Sequence, residues 1–464
     1  MRTTASGGER GATASGHPFV SRPNRTMLGL ALPVLFSLVA EPLTGLADTA
    51  FVARIPGSEP VAALGIGTVA FSSIFWAFGF LGIGTQTEVA HDMGGGSREH
   101  AVKLTSLACL LAAGVGVALL IGLMPVLGQV AGLLGAQGRV QDLACEYMHY
   151  RLYGAPAVLV SVACFGALRG VQDMRTPFYV AVAVNVINIL LDRLLIFGGW
   201  GLPPFGVAGA AVASSASQWV GAVWVLVVVA RRIGLTRHMQ GAGVVKLLRI
   251  GGDLFVRTGM LLLFLGLCTR VANRFGADDG AAYQAIRQFY VFAALFLDAF
   301  AITGQSLVGY FLGAKNKEQA RRVARIVCLW SVVTGVVIAG LMLAGKDFVA
   351  WLLVPPRAVA LFEPGWIVLA LSLPPGALSF ATDGIHWGTG DFRYLRNAMI
   401  VSSVVGGAHV LLIEYVHPAH AMVHIWIASA LWTMLRGGFG MIRVWPGVGK
   451  APLKEAQGGG PGLR

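Results

Sequence analysis

Asp48, Asn185, Asn188 and Asp192 are polar residues set in long stretches of apolar sequence. A carboxylate inside a membrane span costs at least about 2.5–3.5 kcal/mol, so each one must either do chemistry or find a partner. Asn185, Asn188 and Asp192 stand at i, i+3 and i+7, which puts them on one helical face, where a polar stripe can line a cavity. With Asp48 they would supply oxygen ligands for Na⁺. Alternatively they form a carboxylate pair in which one member keeps its proton, because like charges in a dry cavity repel. Plainer readings compete: an Asp192–Arg193 ion pair, Asp48 as a helix-end residue near the external surface, and Asn188 bonded to a backbone carbonyl. Glu41 lies about two turns before Asp48 on the same segment.

The second half of the chain carries Arg257, Asp298 and Asp383. Arg257, near the cytoplasmic start of its segment, is expected to snorkel. Asp298 is mid-segment, which leaves a structural salt bridge or a second ion or substrate site. His420 and His424, at i and i+4 after His417-Pro418, share a face that could hold Zn²⁺. Only Glu414 is near as a further ligand, and an interfacial face is the commoner cause, so no metal beyond Na⁺ at Asp48, Asn188 and Asp192 is expected. Nothing resembles a nucleotide-binding loop or a catalytic triad, so neither an enzyme nor a cofactor is expected.

The segments that must position these residues are membrane helices. Of the 464 residues 56% are apolar or aromatic and only 12% are charged. A spanning helix needs about 20 predominantly apolar residues. Twelve spans follow: Thr26 to Ala53, Val61 to Ala90, Leu104 to Gly138, Leu152 to Leu168, Thr176 to Leu191, Leu194 to Ala230 split at the Gly/Pro cluster Gly198 to Gly206, Leu254 to Asn273, Ala281 to Leu312, Ile326 to Gly345, Pro364 to Thr382, Asn397 to Ile413 and Tyr415 to Leu435. The fold class is all-α polytopic. A transmembrane barrel would alternate in polarity, and these runs do not.

The net charge of +13 reflects orientation rather than nucleic-acid binding, since 25 of the 35 Lys and Arg fall in the two tails and the loops after even-numbered spans. That places both termini in the cytoplasm. The five cysteines lack metal or redox spacing and read as small packing residues. Residues 1–24 and 444–464 read as disordered tails, the first too rich in Gly, Ser, Thr and Arg for a signal peptide.

An internal repeat divides the chain. Gly170, Asp173, Arg175 and Pro156 recur as Gly388, Asp391, Arg393 and Pro374 at an offset of 218, and Gln86, Glu99, Ala101 and Gly57 as Gln305, Glu318, Ala320 and Gly276 at 219. Six spans repeat six, and an even number keeps both halves in one orientation, related by an axis along the membrane normal. The expected lobes are 25–232 and 247–443, joined by a cytoplasmic linker at 233–246.

The segments Glu41-Pro-Leu-Thr-Gly-Leu-Ala-Asp48-Thr-Ala-Phe-Val, Gly166-Ala-Leu-Arg-Gly-Val-Gln-Asp173-Met-Arg-Thr-Pro177, Asn188-Ile-Leu-Leu-Asp192 and Asp383-Gly-Ile-His-Trp-Gly-Thr-Gly-Asp391-Phe-Arg-Tyr-Leu resemble the multidrug and toxic compound extrusion (MATE) family, DinF-type branch. The resemblance runs from about Thr26 to Arg443. It implies two pseudo-symmetric six-helix lobes around a V-shaped cleft and export of small organic compounds by H⁺ or Na⁺ antiport. It also implies a cation site at Asp48, Asn188 and Asp192, with Ser214 where the family often has Thr. Arg193 after Asp192 and His386 inside the last motif depart from the pattern. The protein is expected in the cell (inner) membrane, as a monomer, with small-molecule substrates, the bilayer and no nucleic acid as partners. The alternative function, a flippase for lipid-linked precursors, would need a cleft rich in Arg and Lys, and few intramembrane basic residues are expected.

Overall fold

The computed structural model describes residues 16–239, 241–418 and 420–454. Apart from short turns these form helices: α1 (Pro23–Val52), α2 (Glu59–Phe78), α3 (Phe80–Gly94), α4 (Arg98–Leu123), α5 (Leu127–Leu133), α6 (Gly138–Leu152), α7 (Ala155–Gly170), α8 (Arg175–Phe197), α9 (Gly206–Arg232), α10 (Gly241–Phe275), α11 (Ala277–Gly313), α12 (Lys317–Ala344), α13 (Lys346–Leu353), α14 (Val359–Thr389), α15 (Phe392–Val416) and α16 (Ala421–Val444). Among the described residues eleven spans are long and apolar enough to cross a membrane, α2 and α3 counting as one, and a twelfth is the pair α6 and α7, bent by 50°. The bend falls at Gly154-Ala155-Pro156, where the proline lacks an N–H and its ring crowds the carbonyl four residues back. Its repeat equivalent, Pro374, sits inside the unbroken α14.

Among the described residues two compact units result, one within 32–251 and the other within 16–31 and 252–454. The first unit is α8 on α9, α4 and α3 on α7, and α2 on α6; the second is α14 against α11, α12 and α16, with α15 on α16. The unit boundaries differ from the expected lobes. Residues 241–246, expected in a linker, form the start of α10, where Leu247 is buried among Leu81, Leu107 and Leu159 of the first unit.

The inner parts of both expected tails are also built. Phe19, fully buried, joins Met27, Ala31 and Phe311, and Arg322 donates to the Val20 carbonyl at 3.2 Å. Leu453 is buried as well, and Arg321 Nε donates to its carbonyl at 2.7 Å. Two or three apolar residues were enough to overrule the polar composition around them, because each fills a space against a helix already in place. Residues 1–15 and 455–464 lie outside the described residues. The last span also shifts: Tyr415 and Val416 end α15, the chain breaks at His417, whose φ is +52°, and α16 then runs to Val444. Arg436 therefore lies inside a span rather than just past its end.

The repeat is visible atom by atom. A Cβ added at Gly170 would sit 3.0 Å from the Gln86 carbonyl oxygen, and one at Gly388 2.6 Å from that of Gln305. Gly166 and Gly384 make the same kind of approach, to Gly82 and Ala301. Helices this close require a residue without a side chain. After α7 and α14 the chain turns through a left-handed residue, Gln172 or Gly390, and the Asp173 and Asp391 amides donate to the Leu168 and His386 carbonyls at 2.8 and 3.0 Å.

Candidate functional site

In the first unit α1, α8 and α9 bring Asp48, Asn188, Asp192 and Ser214 together, all nine-tenths or more buried. Ser214 Oγ donates to Asp48 Oδ2 at 3.2 Å and accepts from Asn188 Nδ2 at 3.3 Å. The Asp48 and Asp192 carboxyls stand close enough to share a hydrogen bond when one of them is protonated. Asp48 Oδ1, Asn188 Oδ1 and both Asp192 oxygens have no hydrogen-bond partner among the described residues. Buried oxygens left open cost free energy unless a proton or cation satisfies them. The donor set, two carboxylates with a carboxamide and a hydroxyl oxygen, is of the hard-oxygen kind that suits an alkali cation or a shared proton.

Asn185 falls outside the cluster, because its Nδ2 donates to the Ala40 carbonyl at 2.9 Å. The backbone-bonding role considered for Asn188 therefore belongs to Asn185. Arg193 is exposed and stacks over Phe197 at 5.5 Å; one residue on from Asp192, it points about 100° away around the helix and does not pair with it. The Glu41 side chain lies outside the described residues. One contributor went unforeseen, Arg151 on α6. Its guanidinium acts electrostatically on Asp48 and Tyr147 and lies over Phe71 at 5.6 Å. Its i, i+4 spacing from Tyr147 was the available signal.

The second unit has a cluster of opposite character. Arg257 on α10 is buried and ion-paired with Asp383 on α14, so it does not snorkel. Arg436 on α16, also buried, donates from Nη2 to the same Asp383 Oδ2 at 2.7 Å. Trp387 lies 5.3 Å from the Arg257 guanidinium, and Trp432 and Phe380 lie 4.5 and 5.9 Å from that of Arg436. Asp298 on α11 is half-buried in the field of these three charges, but the carboxylate that takes the salt bridges is Asp383.

His386 sits in the packing below this cluster: its Nδ1 lies 2.7 Å from the Thr382 carbonyl and its ring stacks on Tyr394. His417 meets the edge of Phe275, and Glu414 is taken by Arg270 and Arg274. Among the described residues no three His, Cys, Asp or Glu side chains gather to hold a metal ion. The motif aspartates are structural. Asp173 caps α8 by accepting from Thr176 and pairs with Arg232, and Asp391 pairs with Arg443 at 2.7 Å.

Comparisons with known proteins agree with this architecture. The family model MatE matches residues 33–194 and 256–410. Protein DETOXIFICATION 44, chloroplastic, of Arabidopsis thaliana is 30% identical over 441 residues, covering 90% of this chain and 82% of its own. DNA damage-inducible protein F of Escherichia coli is 26% identical over 436 residues, covering 92% and 93%. A MOP superfamily transporter from Pyrococcus furiosus shares the fold with a TM-score of 0.83 at 20% identity, over 90% of this chain and 94% of its own. Two repeated six-span halves, the matched motifs and these relatives lead to one conclusion: the chain belongs to the MATE family of multidrug and toxin efflux transporters, in its DinF-type branch.

Proposed function

We propose that the protein is a secondary active antiporter that exports small organic compounds in exchange for H⁺, the preferred ion, or Na⁺. The observation that carries this reading is the buried Asp48–Ser214–Asn188 network with open oxygens beside Asp192. A proton or Na⁺ entering this cluster removes the like-charge cost of the two carboxyls, and its departure restores that cost. An ion that binds one state of the transporter better than the other shifts the equilibrium by that difference alone, and a substrate favouring the opposite state then exchanges with it. Asp48 and Asp192 hold the ion, while Ser214 and Asn188 orient Asp48 and complete the oxygen set. The two repeated halves act as the six-helix lobes of such a carrier. The chain works as a monomer in the inner membrane, with both termini in the cytoplasm, and needs no cofactor.

The test is ethidium efflux from proteoliposomes driven by a pH gradient or by a Na⁺ gradient. Asp48→Asn keeps the size of the side chain and removes its charge. We expect this variant to insert and fold and to lose efflux under both gradients; full gradient-driven efflux would leave Asp48 a structural residue. The orientation has its own check: a cysteine at Ser58 should react with an impermeant maleimide from outside, and one at Ser97 only after permeabilisation. The reverse pattern would invert the topology.

A further inference from the structure

The repeat distributes charge unevenly between the start of α4 and that of its twin, α12. In the first copy Glu99 pairs with Lys103, and Ser106 Oγ accepts from the Thr236 amide at 2.9 Å. At the offset of 219 these positions are Glu318, Arg322 and Arg325. All three are exposed, and among the described residues Glu318 makes no ion pair and no carboxylate meets either arginine. Arg322 gives one N–H to the Val20 carbonyl, out of the five that a guanidinium offers. The N-terminal segment brings two more cations to this end. Phe19 is buried beside Phe311, Arg322 holds Val20, and Trp330 Nε1 donates to Asn24 Oδ1 at 3.1 Å. These contacts fix the backbone around Arg22 and Arg25, which are exposed and without a carboxylate partner among the described residues. Further along α12, the face of Arg322 and Arg325 continues at steps of three and four residues as Leu329, Val333 and Val336, all exposed. A cluster of cations at the head of an open apolar stripe is complementary to a molecule with an anionic head and a hydrocarbon tail.

We propose that the start of α12 and the segment 22–25 form a binding site for an anionic phospholipid. The phosphate takes open N–H groups of Arg322 and Arg325, with Arg22 and Arg25 adding to the local positive charge, and an acyl chain lies along Leu329, Val333 and Val336. A lipid fits better than free phosphate because the apolar stripe begins one turn from Arg325. Bound there, it fastens the N-terminal segment to α12, whereas in the first copy Ser106 holds the chain at the twin position by a direct hydrogen bond. The site requires only that the chain sit in a bilayer, and it stands apart from the antiport reading.

The experiment follows the thermal-unfolding midpoint of the purified full chain in a neutral detergent. The probes are phosphatidylglycerol, phosphatidylcholine with the same acyl chains, and inorganic phosphate, each at rising concentration. A ligand that binds only the folded protein raises the midpoint with concentration, which gives an apparent affinity. An arginine beside an anionic headgroup is worth about fivefold in affinity. Phosphatidylglycerol should therefore bind at least about tenfold tighter than phosphatidylcholine, and Arg322→Gln combined with Arg325→Gln should remove about tenfold of that preference. Lys103→Gln, at the twin position, should leave it intact. Should the double variant fail to fold, Arg325→Gln alone decides, by a loss of about fivefold. Equal affinity for the two lipids, a preference unmoved by the arginine substitutions, or the same loss in Lys103→Gln would overturn the proposal. Stabilisation by phosphate as strong as that by phosphatidylglycerol would make this a site for a free anion and overturn the lipid assignment.

Discussion

The acidic cluster of the first unit and the basic cluster of the second occupy positions that do not correspond in the repeat. At the offset of 218 or 219, Asp48, Asn188, Asp192 and Ser214 fall on Leu267, Gly406, Val410 and Trp432. There Trp432 stacks on Phe264 at 4.5 Å, and a Cβ at Gly406 would press on both side chains. In the other direction Arg257 and Asp383 fall on Leu38 and Phe165. Each half thus keeps the glycines that let its helices meet and places an uncharged residue where the other is charged, with Gln218 standing opposite Arg436. Packing positions are shared because both copies must solve the same close approach; charged positions diverge because a buried charge needs a partner set of its own.

The sharpest way to break this contrast is to make one substitution in both clusters. Asp383→Asn leaves two buried guanidiniums with no carboxylate hydrogen-bonded between them, and removal of such a partner costs about 3–5 kcal/mol. Asp192→Asn relieves a like-charge pair. In a thermal-unfolding assay in detergent we expect Asp383→Asn to lower the midpoint strongly and Asp192→Asn to leave it unchanged or raised. Changes of the same sign would mean that the two clusters are not electrostatic opposites.

A smaller effect tests the shared part. Gly166→Ala and Gly384→Ala each push a methyl group onto the backbone of a neighbouring helix. Overpacking of this kind costs about 1–3 kcal/mol. Both variants should lose thermal stability to a comparable extent, and tolerance of one alone would show that the halves pack differently there. The smallest effect belongs to Arg193→Ala. That side chain is exposed and stacked only on Phe197, so gradient-driven efflux should match wild type. A marked loss would return Arg193 to the acidic cluster.

How much of this was legible in the sequence depended on where a residue stood in its span. Asp48 and Asn188 stand inside the expected spans, Asp192 one residue past the run that ends at Leu191, and Ser214 came from the family resemblance; the structure gathers all four. Asn185 shares the face of Asn188 but lies one turn nearer Ala40, and helical periodicity does not say which neighbouring carbonyl a carboxamide will meet. Arg436 and Arg151 were hidden by span edges. The last span, drawn to Leu435, left Arg436 one residue outside, whereas α16 continues to Val444 and buries it. A window of apolar residues stops at the first arginine whether that arginine meets water or a buried carboxylate, and only the partner on another helix, Asp383, distinguishes the two. The built ends of the tails were missed for a related reason: Phe19 and Leu453 are single apolar residues whose burial depends on surfaces far away in the chain.

The left-handed turns make this molecule its own two-member alignment. Gln172 takes positive φ where the second copy has Gly390, and Lys315 takes it where the first copy has Gly96. Each half thus carries, at a different corner, a strain of about 1–2 kcal/mol that its twin avoids with glycine. A protein engineer needs no homologues to find these two sites. Copying the residue from one half into the other, as Gln172→Gly and Lys315→Gly, borrows a solution that the same chain already uses.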